Sequence, residues 1–327
     1  MDSMKKYIVI TSIFQPTEAV QKFAALKDWH LIVVGDKKTP TDWQYENVTY
    51  LSPTAQTELG YEFVSQLPWN SYTRKVVGYR YAIEHGAEII ADTDDDNIPY
   101  ENWAQDLPWK GKLETLNVQG FTNIYSYFTD KHIWPRGYPL NKILGAQKAT
   151  ASTSPQEIGV WQFLADEDPD VDAIYRLTNN TLIFFDKRQP LVLEKGTVCP
   201  FNSQNTFFRQ ELFPLLYLPA FVTFRYTDIL RGLVAQPLLW NTPYRLAFGQ
   251  ATVIQKRNPH NYLKDFESEI PCYLYPEKVI EIATGAVKST DSLIDNMWNV
   301  YQALHSAQIV PAEELPLLEL WLKTFRK

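Results

Sequence analysis

The chain is short of the residues that staple, span or cradle. Only two of its 327 residues are cysteine, Cys199 and Cys272, far apart and in no metal-ligand spacing. A single disulfide between them is one reading. Free thiols in a reducing, cytoplasmic compartment are the expected one. No stretch approaches the ~20 apolar residues that span a bilayer, so no integral membrane segment is expected. Lys5 and Lys6 lead straight into an apolar run with no cleavage site after it, so no signal peptide is expected either. Neither G-x-G-x-x-G nor G-x-x-x-x-G-K-[ST] occurs, which argues against dinucleotide oxidoreductases and P-loop enzymes. A basic excess is also missing. The net charge of -7 disfavours a general nucleic-acid binder. Internal repeats, low-complexity tracts and long linkers are absent.

What remains is an ordinary globular composition, 45% hydrophobic and 21% charged, long enough for one large α/β domain or two smaller ones. Aromatics reach 14%, with 10 tryptophans, a level that suits carbohydrate stacking and core packing equally well.

The stretch from Asn70 to Asn97 organises the rest. Asn70 and Ser71 are N-cap residues, and Tyr72, Val76, Tyr79 and Ile83 recur on one helical face. Gly86 suits a left-handed stop. The run from Glu88 to Ala91 reads as a buried strand of a parallel sheet, and it ends in Asp92, Asp94, Asp95 and Asp96. In open α/β sheets that strand edge is where ligands bind. Two carboxylates about 5 Å apart repel by roughly 3 kcal/mol at an effective dielectric of ~20. A hard cation, Mn²⁺ or Mg²⁺, relieves that repulsion and bridges to phosphate oxygens. A solvated acidic turn is the alternative on the triplet alone.

Tyr7–Ser12, a helix from Thr17 to Lys27, and His30–Val34 form a βαβ opening with a right-handed crossover. Thr11-Ser12 and Gly35-Asp36 then fall on the same edge as the Asp cluster, where Asp36 either meets a ribose or base or is a turn residue. Arg74 and Lys75, at the start of the Asn70 helix, are candidates for a diphosphate or are solvated helix residues. Strands are expected at 113–118, 158–164, 182–185 and 191–193. The acidic loop 165–172 reads as solvated, with a second metal site as the minority view. The amide-rich segment Pro200–Thr206 must hydrogen-bond a polar ligand or a neighbouring loop. Asp228 opens a helix as a cap or as a catalytic base. Lys256 and Arg257 could neutralise a leaving diphosphate, and His260 beside them is the candidate third metal ligand. Helical stripes follow at Leu293–Leu304 and Leu317–Trp321. The chain divides in this reading into an α/β domain that carries the candidate site, 1–265, and a helical extension packed on it, 266–327.

Taken in order, several of these segments resemble one family. Ile10–Phe14, Val34–Pro40, Asn70–Lys75, Asp92–Asn97, Pro135–Leu140, Glu167–Ile174, Pro200–Thr206, Phe224–Gly232 and Lys256–Asn261 are similar to the STELLO-type glycosyltransferases. More distantly they resemble the reversibly glycosylated polypeptides, which are UDP-arabinopyranose mutases. The resemblance implies an α/β fold of GT-A type, Rossmann-like, with a mostly parallel central sheet plus C-terminal helices. It implies metal-dependent, inverting transfer from a nucleotide sugar, most simply a UDP-sugar, to a carbohydrate or glycoconjugate hydroxyl. Asp94 and Asp96 match the metal motif, Asp95 the ribose or sugar contact, and Thr11 and Asp36 the nucleoside contacts. Arg136 matches the arginine that the mutases glycosylate, which raises a mutase or self-glycosylating alternative. Thr227-Asp228 departs from the mutases' paired aspartates. Asp228 is the expected base, with Asp168 or Glu167 in reserve. A catalytically dead scaffold that binds partners through its terminal helices is the third reading.

Overall fold

Continuous apolar strands need cover on both faces, and the structure supplies it. The computed structural model describes residues 4–105, 107–145 and 150–326. Strands β1 (Lys6–Thr11), β2 (His30–Val34), β3 (Val48–Leu51) and β4 (Ile89–Thr93) lie parallel in the order β3-β2-β1-β4. Helix α1 (Glu18–Ala24) joins β1 to β2, capped by the Thr17 side chain on the Val20 N–H. Helices α2 (Pro53–Glu58) and α3 (Lys75–Glu84) bring the chain from β3 to β4. The expected helix start at Tyr72 is a 3₁₀ turn, Tyr72–Arg74, capped by Ser71, before α3 begins. Gly86 takes the left-handed stop at φ 82°. A Cβ on Gly78 would come within 2.5 Å of Val9, so this glycine lets α3 sit close on the sheet.

Beyond β4 the expected mostly parallel sheet becomes mixed. The further elements are β5 (Asn97–Pro99), β6 (Lys110–Asn117), β7 (Gly120–Phe121), α4 (Tyr125–Phe128), β8 (Thr150–Asp166), α5 (Ala173–Thr178), β9 (Leu191–Leu193), β10 (Thr197–Val198), β11 (Asn205–Arg209), α6 (Thr227–Leu239) and β12 (Arg245–Gln255). Strand β11 enters antiparallel between β4 and β8. Long β8 pairs antiparallel with β6 along its first half and parallel with β12 along its second. Strand β9 bridges β6 and β12, which closes a four-strand ring, and β5 pairs antiparallel with β12. The segment expected as a strand at 182–185 makes only an isolated bridge, Ile183 to Glu167.

Two buried clusters flank the sheet. The larger packs Val9, Val77 and Ile90 with the helices, and the smaller gathers Ile8, Phe23, Trp103, Trp161 and Phe207. Trp161 and Trp321 are fully buried, and Trp103 and Trp134 nearly so. The aromatic excess therefore serves the core to a large extent. The chain ends in α7 (Tyr262–Leu274), α8 (Pro276–Ala286), α9 (Leu293–Ser306) and α10 (Glu314–Lys323). The division at 265/266 falls inside α7. Among the described residues no helix is long and apolar enough to cross a membrane.

Candidate functional site

The carboxyl ends of β1, β2 and β4 open onto a cleft of ≈ 380 Å³ whose lining includes Thr11, Asp36, Asp94, Asp95, Asp96, Arg136, Asp228, Arg257 and His260. Residues from nine separated segments of the sequence meet there because the strand edge, the Pro200–Thr206 loop and the start of α6 converge on it.

Beneath the floor lies Asp92, which is fully buried. Lys75 Nζ reaches it at 2.8 Å and Arg231 Nη1 at 2.7 Å. Burial alone would raise the Asp92 pKa, but the two cations outweigh it and hold the group below the usual carboxylate range. Lys75 also donates to Asp94 Oδ1 at 2.8 Å and to Tyr72 Oη at 2.9 Å. An ammonium has three N–H donors, and these three partners occupy them. The expected diphosphate lysine is thus a buried counter-ion of the Asp strand. Arg74 is likewise turned inward: it bonds Gln56 and the Val64 and Leu67 carbonyls, and its guanidinium lies 3.7 Å over Trp69. Burial lowers its pKa to about 10.

Asp94 accepts Tyr72 Oη at 2.8 Å on the oxygen that Lys75 holds, and burial raises its pKa despite Lys75. Asp95 accepts Ser12 Oγ at 2.5 Å. Its pKa is pushed up to about 6, chiefly by burial, with Asp94 adding to the shift. Asp96 rises to about 7 through burial and then the charges of Asp94 and Asp95. Gln255 donates to its Oδ2 at 3.2 Å, whereas its buried Oδ1 has no hydrogen-bond partner among the described residues. Three carboxylates thus share one close cation, Lys75 on Asp94, and the orphaned Asp96 oxygen points to what is missing.

Arg257 shows the opposite deficit. Its side chain is 6% exposed, and among the described residues its ion-pair contact is 3.8 Å to Asp265 and its buried Nε has no hydrogen-bond partner. Burial and the neighbouring Arg225 and Arg176 lower its pKa. A buried guanidinium so poorly paired calls for an anion.

Arg136 occupies the far wall. Nε and Nη2 bond Asp170 at 2.8 and 2.9 Å, Nη1 and Nη2 bond Asp228 at 3.0 and 2.9 Å, and Nη1 also donates to the Arg225 carbonyl. All five guanidinium N–H groups are used. Asp170, which the expected solvated loop passes over, is buried, accepts Asn202 Nδ2 at 2.8 Å, and is held below the usual range because Arg136 outweighs burial. Asp172 of that loop is buried too, bonded by Trp134 Nε1 at 2.6 Å.

Other expected site residues have different partners. Asp36 accepts the backbone N–H groups of Lys37, Asn70 and Ser71, so its carboxylate fixes the loop that leads into α3. Asp168 pairs with Arg176, and Glu167 with Lys256 at 2.6 Å. None of Asp168, Glu167 and Lys256 lines the cleft. His260 does, with Nδ1 bonded to Asp265 at 2.9 Å. It does not complete a metal shell with Asp94 and Asp96: among the described residues no three His, Cys, Asp or Glu side chains converge for one. The amides of 202–205 bond neighbouring segments, such as Asn205 to Thr252 at 2.8 Å and Gln204 to Gln255 at 2.5 Å. Sequence reasoning missed Tyr72, Asp170, Arg225, Arg231 and Gln255, because their roles depend on partners far away in the chain.

Comparison with known proteins came down to one family. The family model of the STELLO glycosyltransferases matches residues 225–327, so it takes in the terminal helices that the motifs above do not reach. The probable glycosyltransferase STELLO1 of Arabidopsis thaliana is 31% identical over 260 residues, 72% of this chain and 33% of its own length. The probable glycosyltransferase STELLO2 of the same plant is 32% identical over 257 residues, 72% of this chain and 34% of its own. The chain spans about a third of the length of these curated relatives.

Proposed function

We propose that this chain, similar along most of its length to STELLO glycosyltransferases, is a metal-dependent glycosyltransferase unit of GT-A type. It transfers a sugar from a nucleotide donor, most simply a UDP-sugar, to a hydroxyl acceptor with inversion. One observation carries the reading. The cleft sets Asp96, which has no cation within ion-pair distance among the described residues, beside Asp94, whose one cation, Lys75, sits on Oδ1. Near them lies the buried guanidinium of Arg257, whose ion-pair contact among those residues is only 3.8 Å, to Asp265. A metal diphosphate supplies a cation to the carboxylates and an anion to the guanidinium.

The donor set fits a hard cation: oxygen ligands, an orphaned Asp96 Oδ1, and fewer than three protein ligands among the described residues, which suits an ion that takes its remaining ligands from phosphate and water. A bound Mn²⁺ or Mg²⁺ would neutralise the leaving diphosphate. Arg257 would pair with phosphate oxygens. Thr11, Asp95 and the loop fixed by Asp36 would receive the nucleoside. Asp228 would take the acceptor hydroxyl proton as the new glycosidic C–O bond forms and the sugar–phosphate bond breaks. Arg136 bonds both of its oxygens and the Ser203 N–H bonds Oδ2 at 3.4 Å, so Oδ1 keeps the lone pair that would take the proton. Arg136 faces two carboxylates, so a proton on Asp228 leaves a balanced Arg136–Asp170 pair.

The mutase or self-glycosylating alternative is less favoured, since Arg136 is 4% exposed and has no free N–H. The test is release of nucleoside diphosphate from a panel of nucleotide sugars with Mn²⁺ and hydroxyl acceptors. Asp228→Asn is expected to bind donor and lose transfer by at least a hundredfold, within the usual range for a general base. Undiminished transfer by that variant would remove Asp228 from the role. Donor turnover without Mn²⁺ would remove the metal.

A further inference from the structure

The hydroxyl of Tyr72 belongs to none of the roles above, yet it sits at the junction of all of them. Tyr72 opens the 3₁₀ turn before α3, directly after the Asn70 and Ser71 N–H groups that Asp36 holds. Asn70 adopts φ 53°, so this short stretch is a bent, pinned connection between the expected nucleoside end and the carboxylate end. At the mouth the Tyr72 ring meets Phe224 edge-on at 6.0 Å.

The hydroxyl donates to Asp94 Oδ1 at 2.8 Å and accepts from Lys75 Nζ at 2.9 Å. Lys75 bonds the same Oδ1 at 2.8 Å, and its remaining N–H is spent on Asp92, whose second oxygen Arg231 occupies. Asp94 therefore takes two hydrogen bonds on Oδ1, while Oδ2 receives none from the described residues. A phenol is protonated at neutral pH, so with Lys75 donating to its oxygen the hydroxyl's own proton goes to Asp94.

From this geometry we infer that Tyr72 is a positioning residue: together with Lys75 it saturates one oxygen of Asp94 and presents the other alone to a divalent cation. The inference rests on the metal–diphosphate reading. Small hard cations demand near-ideal octahedral geometry, which a carboxylate bound through one oxygen accommodates better than a bidentate one. Partners behind a ligating group commonly change metal affinity by 10–100-fold. Without the hydroxyl, Asp94 Oδ1 regains a lone pair, the carboxylate is held by Lys75 alone, and both oxygens compete for the ion.

The experiment titrates Mn²⁺ into wild type and Tyr72→Phe in the presence of uridine diphosphate, by calorimetry or by the spin-resonance signal of free Mn²⁺. Uridine diphosphate affinity without metal and the melting temperature are measured alongside. Tyr72→Phe is expected to weaken Mn²⁺ binding about tenfold, with metal-free nucleotide affinity nearly unchanged and a lower melting temperature, because buried Lys75 loses one acceptor. Equal Mn²⁺ affinity in the two proteins, with wild type binding the ion, overturns the inference alone. An equal loss of metal and metal-free nucleotide affinity also overturns it, because Tyr72 would then shape the whole cleft. No Mn²⁺ binding by wild type overturns the metal–diphosphate reading and the inference with it.

Discussion

Arg136 balances the far wall of the cleft, and removing it has a definite consequence. Arg136→Ala would leave Asp170 and Asp228 buried beside each other without their shared partner, a class of change that costs about 3–5 kcal/mol. Arg136→Lys should recover little, since a compact ammonium cannot bond two carboxylates in fork geometry. Thermal melts of both variants check this, and near-wild-type melting of the lysine variant would contradict it. The acidic triplet has the opposite character. Asp95 and Asp96 titrate near 6 and 7 in the fold against an ordinary value of 3.8, so the native state binds more protons than the unfolded chain between about pH 4 and 7. Their contribution is fully present below the unfolded pKa and is lost as pH rises through the folded one. Asp96→Asn should accordingly raise the melting temperature of the ligand-free protein at pH 8 and have little effect at pH 4. An equal effect at both would show that Asp96 is not perturbed. At this scale the sequence exposed Asp94–Asp96 as a group, since adjacent carboxylates announce their own repulsion. It did not expose that Lys75 and Arg136 are already saturated, because Asp92, Asp170 and Asp228 reach them only through the fold.

Elements read well where their cause was local. Strands β1, β2 and β4 followed from apolar runs, α1 from Thr17, and the stop after α3 from Gly86. Elements read poorly where partners decide. Segment 182–185 has strand-like residues but one bridge partner, and β8 runs well beyond its apolar stretch because β6 pairs with its polar first half. Helix α6 shows how an element sets the site. A Cβ on Gly232 would lie 2.0 Å from the Phe201 carbonyl oxygen, so α6 approaches the 200–206 loop as closely as glycine permits. Asp228 and Arg231, one turn or less before it, owe their positions to that contact. Gly232→Ala should destabilise by about 1–3 kcal/mol, the range for overpacking. Denaturant unfolding measures it, and an unchanged midpoint would mean that the backbones yield freely.

The whole molecule joins the cleft to its terminal helices. Arg225, on the cleft, pairs with fully buried Glu269 of α7 at 2.8 Å. Glu314 of α10, also buried, accepts the Tyr217 hydroxyl and the Ala220 and Phe221 N–H groups, and Trp321 Nε1 bonds the Pro214 carbonyl at 2.9 Å. Glu314→Leu would leave those three groups without an acceptor, at about 1–3 kcal/mol for each that stays buried and unpaired. The protein should then melt in one transition at lower temperature. A separate early transition of the terminal helices would show that they fold apart. The mixed half of the sheet was not readable beforehand, since strand pairing across a hundred residues leaves no local periodicity. The central claim, that the cleft holds a metal diphosphate between Asp94, Asp96 and Arg257, is tested most directly by thermal melting with uridine diphosphate, with and without Mn²⁺, on wild type and on Asp94→Ala with Asp96→Ala. At ~100 times the dissociation constant a ligand adds about 2.7 kcal/mol to the native state, enough to move the midpoint by a few degrees. The account predicts a rise that needs Mn²⁺ and vanishes in the double variant. A rise of equal size without Mn²⁺, or one retained by the variant, would contradict it.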